Sequence, residues 1–171
     1  MSRRKVYDDE GHAYFITFSC YHRRRLLDQP QMRDVVVEVL AGSLEKRGGI
    51  CSGYIVMPDH VHSIVWFPEP GTLSAFMKAW KQASSLRLKR LVRGSLSHYS
   101  ATISRDDPFW QAKYYPFNLY STAKAREKLD YMHTNPVAAG LVSQAVDWPH
   151  GSARFYLLGE DVGVPIQWIF D

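Results

Sequence analysis

Two histidines separated by a single residue are the first side chains in this sequence that could hold a metal ion. His60 and His62 lie in the segment MPDHVHSIV, which begins at Met57. In a β-strand, side chains two positions apart point to the same face, so the two imidazoles would project side by side. Imidazole is a common metal ligand. Two ligands leave a metal ion incompletely coordinated, so a third must come from elsewhere. The alternative is that both rings only pack.

A tyrosine in the segment LDYMHTNPV has a setting that is unusual for an aromatic residue. On a helix, Tyr131 shares one face with Lys124, Lys128 and Asn135, at spacings of three and four. The apolar stripe of that helix runs elsewhere, through Ala125, Leu129 and Met132. A phenol is a weak nucleophile, but nearby cations favour its ionised form and a metal can polarise a phosphate under attack. The alternative is a surface tyrosine that makes one hydrogen bond.

The basic residues are clustered, which suggests an anionic partner. The chain has 171 residues and a formal net charge of +4. No Asp or Glu occurs from Gly71 to Arg105, and further basic clusters lie at 3–5 and 23–25. Surfaces of this kind bind nucleic acid by neutralising phosphates and releasing counterions. A solubilising helix face is the alternative interpretation.

The composition excludes several other classes of protein. An apolar fraction of 46% and a charged fraction of 22% are typical of a soluble globular protein. No segment is apolar enough to span a membrane or to act as a signal peptide, so we expect a cytoplasmic protein. Cys20 and Cys51 lack CxxC spacing and are expected to be reduced packing residues. Nucleotide-binding GxxxxGK[ST] and GxGxxG motifs are absent from the sequence.

The hydrophobic pattern predicts short strands alternating with longer helices. Strands are predicted at 13–20, 50–57, 60–67 and 110–120, and helices at about 31–47, 72–93 and 121–135. Pro58 and Asp59 supply the turn of a β-hairpin, and Pro136 is expected to end the last helix. Residues 94–108 are expected to form a loop, and the chain after Gly140 is expected to be irregular.

This order of elements predicts an α+β fold. It is the ferredoxin-like series β-α-β-β-α-β with one extra C-terminal helix, and we expect an antiparallel sheet with helices on one face. We interpret residues 1–171 as a single domain, with a core at about 10–150 and a C-terminal tail at 151–171.

Three ordered motifs give the sequence a family resemblance. MPDHVHSIV, the WQ of FWQAKYY, and DYMHTNPVAAGLV occur in this order and at these separations. The chain resembles the REP-associated tyrosine transposases, which are relatives of single-tyrosine insertion-sequence transposases in the HUH nuclease superfamily. The resemblance spans about residues 10–150.

The resemblance implies a role for each residue of the two constellations. His60 and His62 match the metal-binding histidine pair, and Tyr131 matches the catalytic tyrosine. Asn135 lies where relatives place a polar side chain that completes the metal site. The family uses magnesium or manganese, whereas the imidazoles alone would suit zinc equally well.

The resemblance also implies a reaction and a substrate. Tyr131 would attack the scissile phosphate to form a 5′-phosphotyrosine bond, and a 3′-hydroxyl could later reverse the step. The substrate would be single-stranded DNA carrying a hairpin of the repetitive extragenic palindrome (REP) type. We expect a cytoplasmic, nucleoid-associated protein that is a monomer, although insertion-sequence relatives act as dimers.

Contacts to this DNA are expected from basic and aromatic side chains. The candidate DNA-binding residues are Arg3, Arg4, Lys5, Lys78, Lys81, Arg87, Lys89, Arg90, Lys124 and Lys128. Four aromatic residues could stack on unpaired bases, with core packing as the other interpretation: Trp110, Tyr114, Tyr115 and Tyr120.

Two other functions are compatible with the same residues. A non-catalytic module of this fold would bind DNA or RNA hairpins through its basic surface alone. A metal-dependent hydrolase would use Tyr131 only to position its substrate.

Overall fold

The computed structural model describes residues 11–96 and 103–171. The elements in chain order are β1 (Ala13–Ser19), α1 (Pro30–Glu45), β2 (Ile50–Val56), β3 (His60–Trp66), α2 (Leu73–Arg93), β4 (Tyr115–Leu119), α3 (Thr122–Ala138) and α4 (Ala153–Leu158). Short 3-10 turns occur at Tyr21–Arg23 and Ala145–Asp147. The predicted DNA contacts Arg3, Arg4 and Lys5 lie outside the described residues.

The four strands form one antiparallel sheet in the order β2-β3-β1-β4. Each crossover places one strand between the two that it joins, as the ferredoxin-like series requires. α1 and α2 pack together on one face of the sheet, and α3 packs against the opposite face. The predicted fold class is therefore confirmed, with the extra helix on the second face.

Strand alternation divides the sheet between two hydrophobic cores. On β3, Val61 and Val65 belong to the core under α1 and α2, whereas Ile64 belongs to the core under α3. Because side chains alternate, His60 and His62 point to the same face as Ile64. The histidine pair and the helix that carries Tyr131 therefore lie on the same side of the sheet.

α3 is held on the sheet by the apolar stripe that its sequence predicts. Ala125, Leu129 and Met132 are buried, and Ser121 caps the helix by accepting a hydrogen bond from the Lys124 amide at 3.2 Å. This stripe fixes the rotation of the helix, so Tyr131 lies at the flank of the stripe and is left partly exposed.

The predicted end of this helix at Pro136 was wrong. α3 continues to Ala138, and Pro136 is buried within it. A proline in the last turn removes only one backbone donor. The turn is then closed by the Ala139 amide, which donates to the Asn135 carbonyl, and by Gly140 in the left-handed conformation.

Gly53 of β2 allows the close approach of α3, and this leads to a testable prediction. A Cβ atom at Gly53 would lie 2.5 Å from Leu129 Cδ1 and 3.0 Å from Met132 Cε. Because a valine adds three carbons to this packed interface, we expect Gly53→Val to lower the free energy of unfolding by ~1–3 kcal/mol. Urea denaturation measures this change.

Gly42 of α1 provides the control for this variant. A Cβ atom at Gly42 meets no atom within 4 Å. We expect Gly42→Ala to stabilise the protein by ~0.5–1 kcal/mol, because alanine loses less conformational entropy in a helix. Equal stability of Gly53→Val and wild type would contradict the packing described here.

The predicted strand at 110–120 was wrong in its first half. β4 begins at Tyr115, and Trp110 makes only an isolated bridge to Cys20, the residue after β1. The Lys81 ammonium donates to the carbonyl oxygens of Gln111 at 2.7 Å and Ala112 at 2.8 Å. Since these carbonyl oxygens bond to a side chain, this segment turns away from the ladder before β4 begins.

The prediction that the chain after Gly140 is irregular was also wrong for part of this segment. Residues 153–158 form α4, and the last residues run beside β2. The Gln167 amide donates to the Cys51 carbonyl at 2.9 Å, and Ser52 Oγ donates to the Gln167 carbonyl at 2.8 Å. Hydrogen bonds to a strand that is distant in sequence, and not a local pattern, give this tail its structure.

Candidate active site

The imidazole of His62 is buried and keeps one nitrogen without a partner. Thr17 lies opposite His62 in the pairing of β1 with β3, and Thr17 Oγ1 is 2.7 Å from His62 Nδ1. His62 Nε2 has no hydrogen-bond partner. With Nδ1–H donating to the hydroxyl, Nε2 carries the lone pair that a metal ion needs.

The surroundings of His62 keep its ring neutral. Burial lowers the pKa of His62 to about 3, and the nearby basic side chains of His60 and Arg23 act in the same direction. The ring also stacks on Phe15, with the two centroids 5.2 Å apart. A neutral, fixed imidazole is the state that binds metal ions.

His60 is oriented by the aspartate that precedes it. The ring centroids of His60 and His62 are 4.8 Å apart. His60 Nδ1 donates to Asp59 Oδ1 at 2.7 Å, and Arg23 forms an ion pair with Asp59 Oδ2 at 3.1 Å. Burial alone would raise the pKa of Asp59, but the hydrogen bond from His60 and the charges of His60 and Arg23 lower it below its usual range. The ionised Asp59 therefore holds His60 Nδ1, so Nε2 is the nitrogen available to a metal ion.

Tyr131 stands directly beside the histidine pair. Its ring lies edge-on to His62, with centroids 5.4 Å apart, and 6.3 Å from the ring of Phe15. The side chain is 52% exposed, and its hydroxyl makes no hydrogen bond to any described residue. The structure thus brings Tyr131 next to the histidine pair, which is distant from it in the sequence, with an accessible phenol at the rim.

The donor set at this site fits a divalent metal ion. Two imidazoles converge, and the unpartnered His62 Nε2 is a buried acceptor that would otherwise cost ~1–3 kcal/mol. Among residues 11–96 and 103–171, no three histidine, cysteine or acidic side chains converge as a metal site. A third protein ligand would therefore be of another type, such as the amide predicted at Asn135. Asn135 is half-buried one turn beyond Tyr131, and no described contact joins it to the imidazoles.

Lys128 brings positive charge to the same rim. Its ammonium lies 5.1 Å from the ring centroid of Phe15 and 5.2 Å from that of Phe117. Lys124, one turn earlier, pairs instead with Glu127 at 2.7 Å. Of the two lysines predicted to bind DNA from α3, Lys128 is therefore the one within the site.

The basic residues predicted on α2 lie across the sheet from the histidines. Lys81 and Lys89 donate to backbone carbonyls, and Arg87 pairs with Glu38. Lys78 and Arg90 are exposed. DNA binding by α2 therefore stays a prediction, and Lys81 and Lys89 also have a structural role.

The four candidate stacking residues have different environments. Trp110 is buried and its indole nitrogen donates to Ser84 Oγ at 3.0 Å, so core packing explains it. Tyr114 is half-buried against the same core. Tyr115 and Tyr120 are 67% and 62% exposed, so core packing does not explain them.

A buried arginine supports the loop and turn beside the site. Arg33 donates from Nη1 to the carbonyl oxygens of Leu27 at 2.6 Å and Asp28 at 2.8 Å. The Leu27 amide in turn donates to the Pro58 carbonyl at 2.9 Å. This chain of hydrogen bonds fixes the hairpin turn whose next residue, Asp59, orients His60.

The same arginine fixes the tautomer of His150. Arg33 Nε donates to His150 Nδ1 at 3.1 Å, so Nε2 carries the proton and donates to Asp34 Oδ1 at 2.8 Å. Burial lowers the pKa of His150, although the hydrogen bond to Asp34 acts in the opposite direction. Protonation of Nδ1 would place a positive charge against Arg33.

This arrangement predicts a stability that depends on pH. Because burial lowers the pKa of His150 in the folded protein, neutral His150 contributes its full stabilisation above the unfolded pKa of about 6.5. This stabilisation is lost as the pH falls below that value. We expect unfolding free energies to show a difference between wild type and His150→Asn that is largest at pH 8 and shrinks towards pH 5, by at most about 1.4 kcal/mol per pH unit. Asparagine keeps an acceptor for Arg33 but does not titrate. A difference that stays constant with pH would contradict the neutral histidine.

Several residues of the site were missed by sequence reasoning. Thr17 and Phe15 could not be found because they come from a different strand. Asp59 was interpreted only as a turn residue, although a carboxylate next to a candidate metal-binding histidine is a signal that could have been used. Arg23 was noted only as part of a basic cluster.

Comparison with known proteins defines the class to which this fold and site belong. Residues 9–134 match the family model described as "Transposase IS200 like", so the chain belongs to the IS200-like transposase family. The chain is 27% identical over 177 residues to the REP-associated tyrosine transposase of Escherichia coli K12, covering 100% of this chain and 93% of that protein. It is also similar to a solved structure of a REP-associated tyrosine transposase bound to a REP hairpin, with a TM-score of 0.71. That likeness covers 100% of this chain and 93% of that chain at 23% identity, and it establishes the fold.

No helix in the described part of the chain combines the length and apolar character needed to cross a membrane.

Proposed function

We propose that this transposase-family protein cleaves and rejoins single-stranded DNA through a covalent bond to Tyr131. The observation that supports this most directly is the contact between the exposed Tyr131 ring and the buried His62, whose Nε2 has no partner. A candidate nucleophile and a candidate metal ligand therefore lie side by side on one face of the sheet. This is the pairing that phosphoryl transfer to a tyrosine needs.

Each residue of the site has one role in the proposed cleavage step. His60 and His62, with Asn135 as the third ligand, would hold Mg²⁺ or Mn²⁺. Bound there, the metal supplies a Lewis acid for the scissile phosphate and the departing oxygen. Tyr131 Oη attacks phosphorus and loses its proton to solvent, since half of the side chain is exposed. A P–O bond to tyrosine forms, the P–O bond to the 3′-oxygen breaks, and a 3′-hydroxyl is released.

The covalent intermediate keeps the energy of the broken phosphodiester bond. A 3′-hydroxyl from the same or another strand can therefore attack the 5′-phosphotyrosine and release Tyr131. Lys128 would attract the phosphate, because its ammonium lies over the rings that border the site. Breaking one strand and joining another needs no nucleotide cofactor.

We propose DNA with a hairpin as the substrate, because the compared structure holds a REP hairpin and the comparison covers the whole chain. Lys128 would contact the phosphate at the site, and Lys124 would contact the strand one helical turn away. The exposed Lys78 and Arg90 on α2 and the N-terminal Arg3, Arg4 and Lys5 are proposed as outer phosphate contacts.

We further propose that each molecule uses its own tyrosine, as a monomer. α3 packs on the sheet of its own chain through Leu129 and Met132. His133 Nε2 is 2.8 Å from Ser152 Oγ, which also accepts a hydrogen bond from the Tyr54 amide. These contacts attach the helix to β2 and to the segment before α4, which disfavours its exchange between two copies.

The position of the label in a DNA substrate tests this chemistry. A REP hairpin with a single-stranded flank is incubated with the protein and Mn²⁺, and the products are separated on a denaturing gel. DNA labelled at its 3′ end is expected to move with the protein, whereas DNA labelled at its 5′ end is expected to yield a free, shorter oligonucleotide. Cleavage of both DNAs without an adduct would indicate a hydrolase, and tight binding without cleavage would indicate a binding module.

A further inference from the structure

A pocket of about 390 Å³ opens beside the histidine pair and is not used by the reaction described above. It is lined by Ser19, Arg23, Gln111, Ala112, Lys113 and Tyr115. Strand register places it on the same face as the site, because Ser19 pairs with His60 and Thr17 pairs with both His62 and Tyr115. Tyr115 therefore lies two strands from His62, a distance of about 10 Å.

The groups in this pocket are those that bind a nucleotide. The Tyr115 ring is 67% exposed and has no ring partner among the described residues. The carboxamide of Gln111 likewise has no hydrogen-bond partner in that part of the chain. Arg23 and the exposed Lys113 supply positive charge. An exposed aromatic ring in a pocket with basic side chains is a stacking platform for one base, and an amide can both donate to and accept from a base edge.

The pocket is also preformed. The Gln111 amide donates to the Ser19 carbonyl at 2.9 Å, and Lys81 fixes the next two carbonyl oxygens from the other side. Arg23 has a left-handed backbone (φ 54°), which non-glycine residues rarely adopt, and its side chain is held by Ser19 Oγ at 3.1 Å and by Asp59. A rigid pocket loses little entropy when it binds, so these groups can select a ligand.

We infer that this pocket is a subsite for one unpaired nucleotide next to the scissile phosphate. Tyr115 stacks on the base, Gln111 hydrogen-bonds its edge, and Arg23 and Lys113 attract the flanking phosphate. The inference rests on the proposed function, because it takes the strand that runs past Tyr131 as the ligand. It adds a base-reading element to a site whose other residues are proposed to hold the metal ion or to act on the phosphate.

Fluorescence of 2-aminopurine tests the subsite without any cleavage. A REP hairpin carries 2-aminopurine at one position of its single-stranded flank, and each position is scanned in turn with the Tyr131→Phe protein. We expect stacking on Tyr115 to quench the 2-aminopurine fluorescence at one position of the flank. This quenching should be retained when Tyr115→Phe is added to the Tyr131→Phe protein, and it should be lost when Tyr115→Ala is added. The Tyr115→Ala protein should bind the DNA roughly 5- to 100-fold more weakly, the range expected for one base–aromatic stack.

Two further variants complete the test. Leu157→Ala removes a side chain of similar exposure, 65%, on α4 outside the pocket, and it should leave both quenching and affinity unchanged. Gln111→Ala should reduce the difference in affinity among the four bases at the quenched position while leaving the quenching itself. Quenching that persists in Tyr115→Ala, or the absence of quenching at every position, would overturn the subsite. A wild-type protein that shows this quenching but forms no adduct would instead overturn the proposed transesterase.

Discussion

Tyr131→Phe is expected to abolish the covalent protein–DNA adduct. The substitution removes only the hydroxyl, which is the proposed nucleophile, and keeps the ring that contacts His62 and Phe15. We expect the rate of adduct formation to fall by on the order of 10³-fold or more, since no other group replaces a lost nucleophile at the same position. The measurement is the 3′-labelled band that moves with the protein on a denaturing gel.

Two controls separate the loss of chemistry from the loss of structure. The Tyr131 hydroxyl has no hydrogen-bond partner among the described residues, so the free energy of unfolding should change by less than about 0.5 kcal/mol. The affinity for the hairpin should also be preserved. Cleavage that survives in Tyr131→Phe would favour a hydrolase in which the tyrosine only positions the substrate. An adduct that survives would locate the nucleophile at another tyrosine, which peptide mapping would identify.

The sequence predicted the parts of the site that depend on local periodicity. A period of two placed His60 and His62 on one face of β3, and helical spacing separated Tyr131 from the stripe of Leu129 and Met132. Both predictions were correct because each of these elements turns its apolar face to the core, which fixes the direction of its other side chains. The order of strands and helices then sufficed for the ferredoxin-like class.

The sequence could not predict the partners that come from strand register. Thr17 contacts His62 because the register of β1 against β3 places these two residues opposite each other. A shift of β1 by one residue would turn the Thr17 side chain to the other face of the sheet. Nothing in the local sequence of β1 specifies this register. The core packing on both faces of the sheet specifies it, and that packing depends on the whole fold.

The errors in element boundaries have the same origin. Lys81, on α2, ends the extended segment at 110–112 by binding its carbonyl oxygens, although the local pattern of that segment is that of a strand. A helix usually ends at the residue before a proline. At Pro136 it does not, because the proline is buried within α3 and the hydrogen bonds after it close the last turn. In both cases a distant side chain or a tertiary contact outweighs a local preference that is worth about 1–3 kcal/mol.

The largest effect on metal binding is expected from replacing His62 with phenylalanine. Phenylalanine keeps an aromatic ring against Phe15 and Tyr131, so it removes both nitrogens with little change in volume. The loss of the buried, unpartnered Nε2 should abolish Mn²⁺ binding, which electron paramagnetic resonance measures directly on the protein without DNA. Metal-dependent adduct formation should fall by on the order of 10²-fold or more, because the phosphate loses its Lewis acid.

Thr17→Val provides a graded comparison for this variant. It keeps both imidazoles and removes only the hydroxyl 2.7 Å from His62 Nδ1, so the ring is less well oriented but can still bind metal. We expect Mn²⁺ affinity to fall by about 10- to 100-fold, less than in His62→Phe, as for other partners of metal-binding histidines. Equal Mn²⁺ affinity in wild type and His62→Phe would contradict a metal site at the histidine pair. In that case the tyrosine chemistry, if Tyr131→Phe still abolished it, would have to rely on Lys128 and Arg23 alone to stabilise the phosphate.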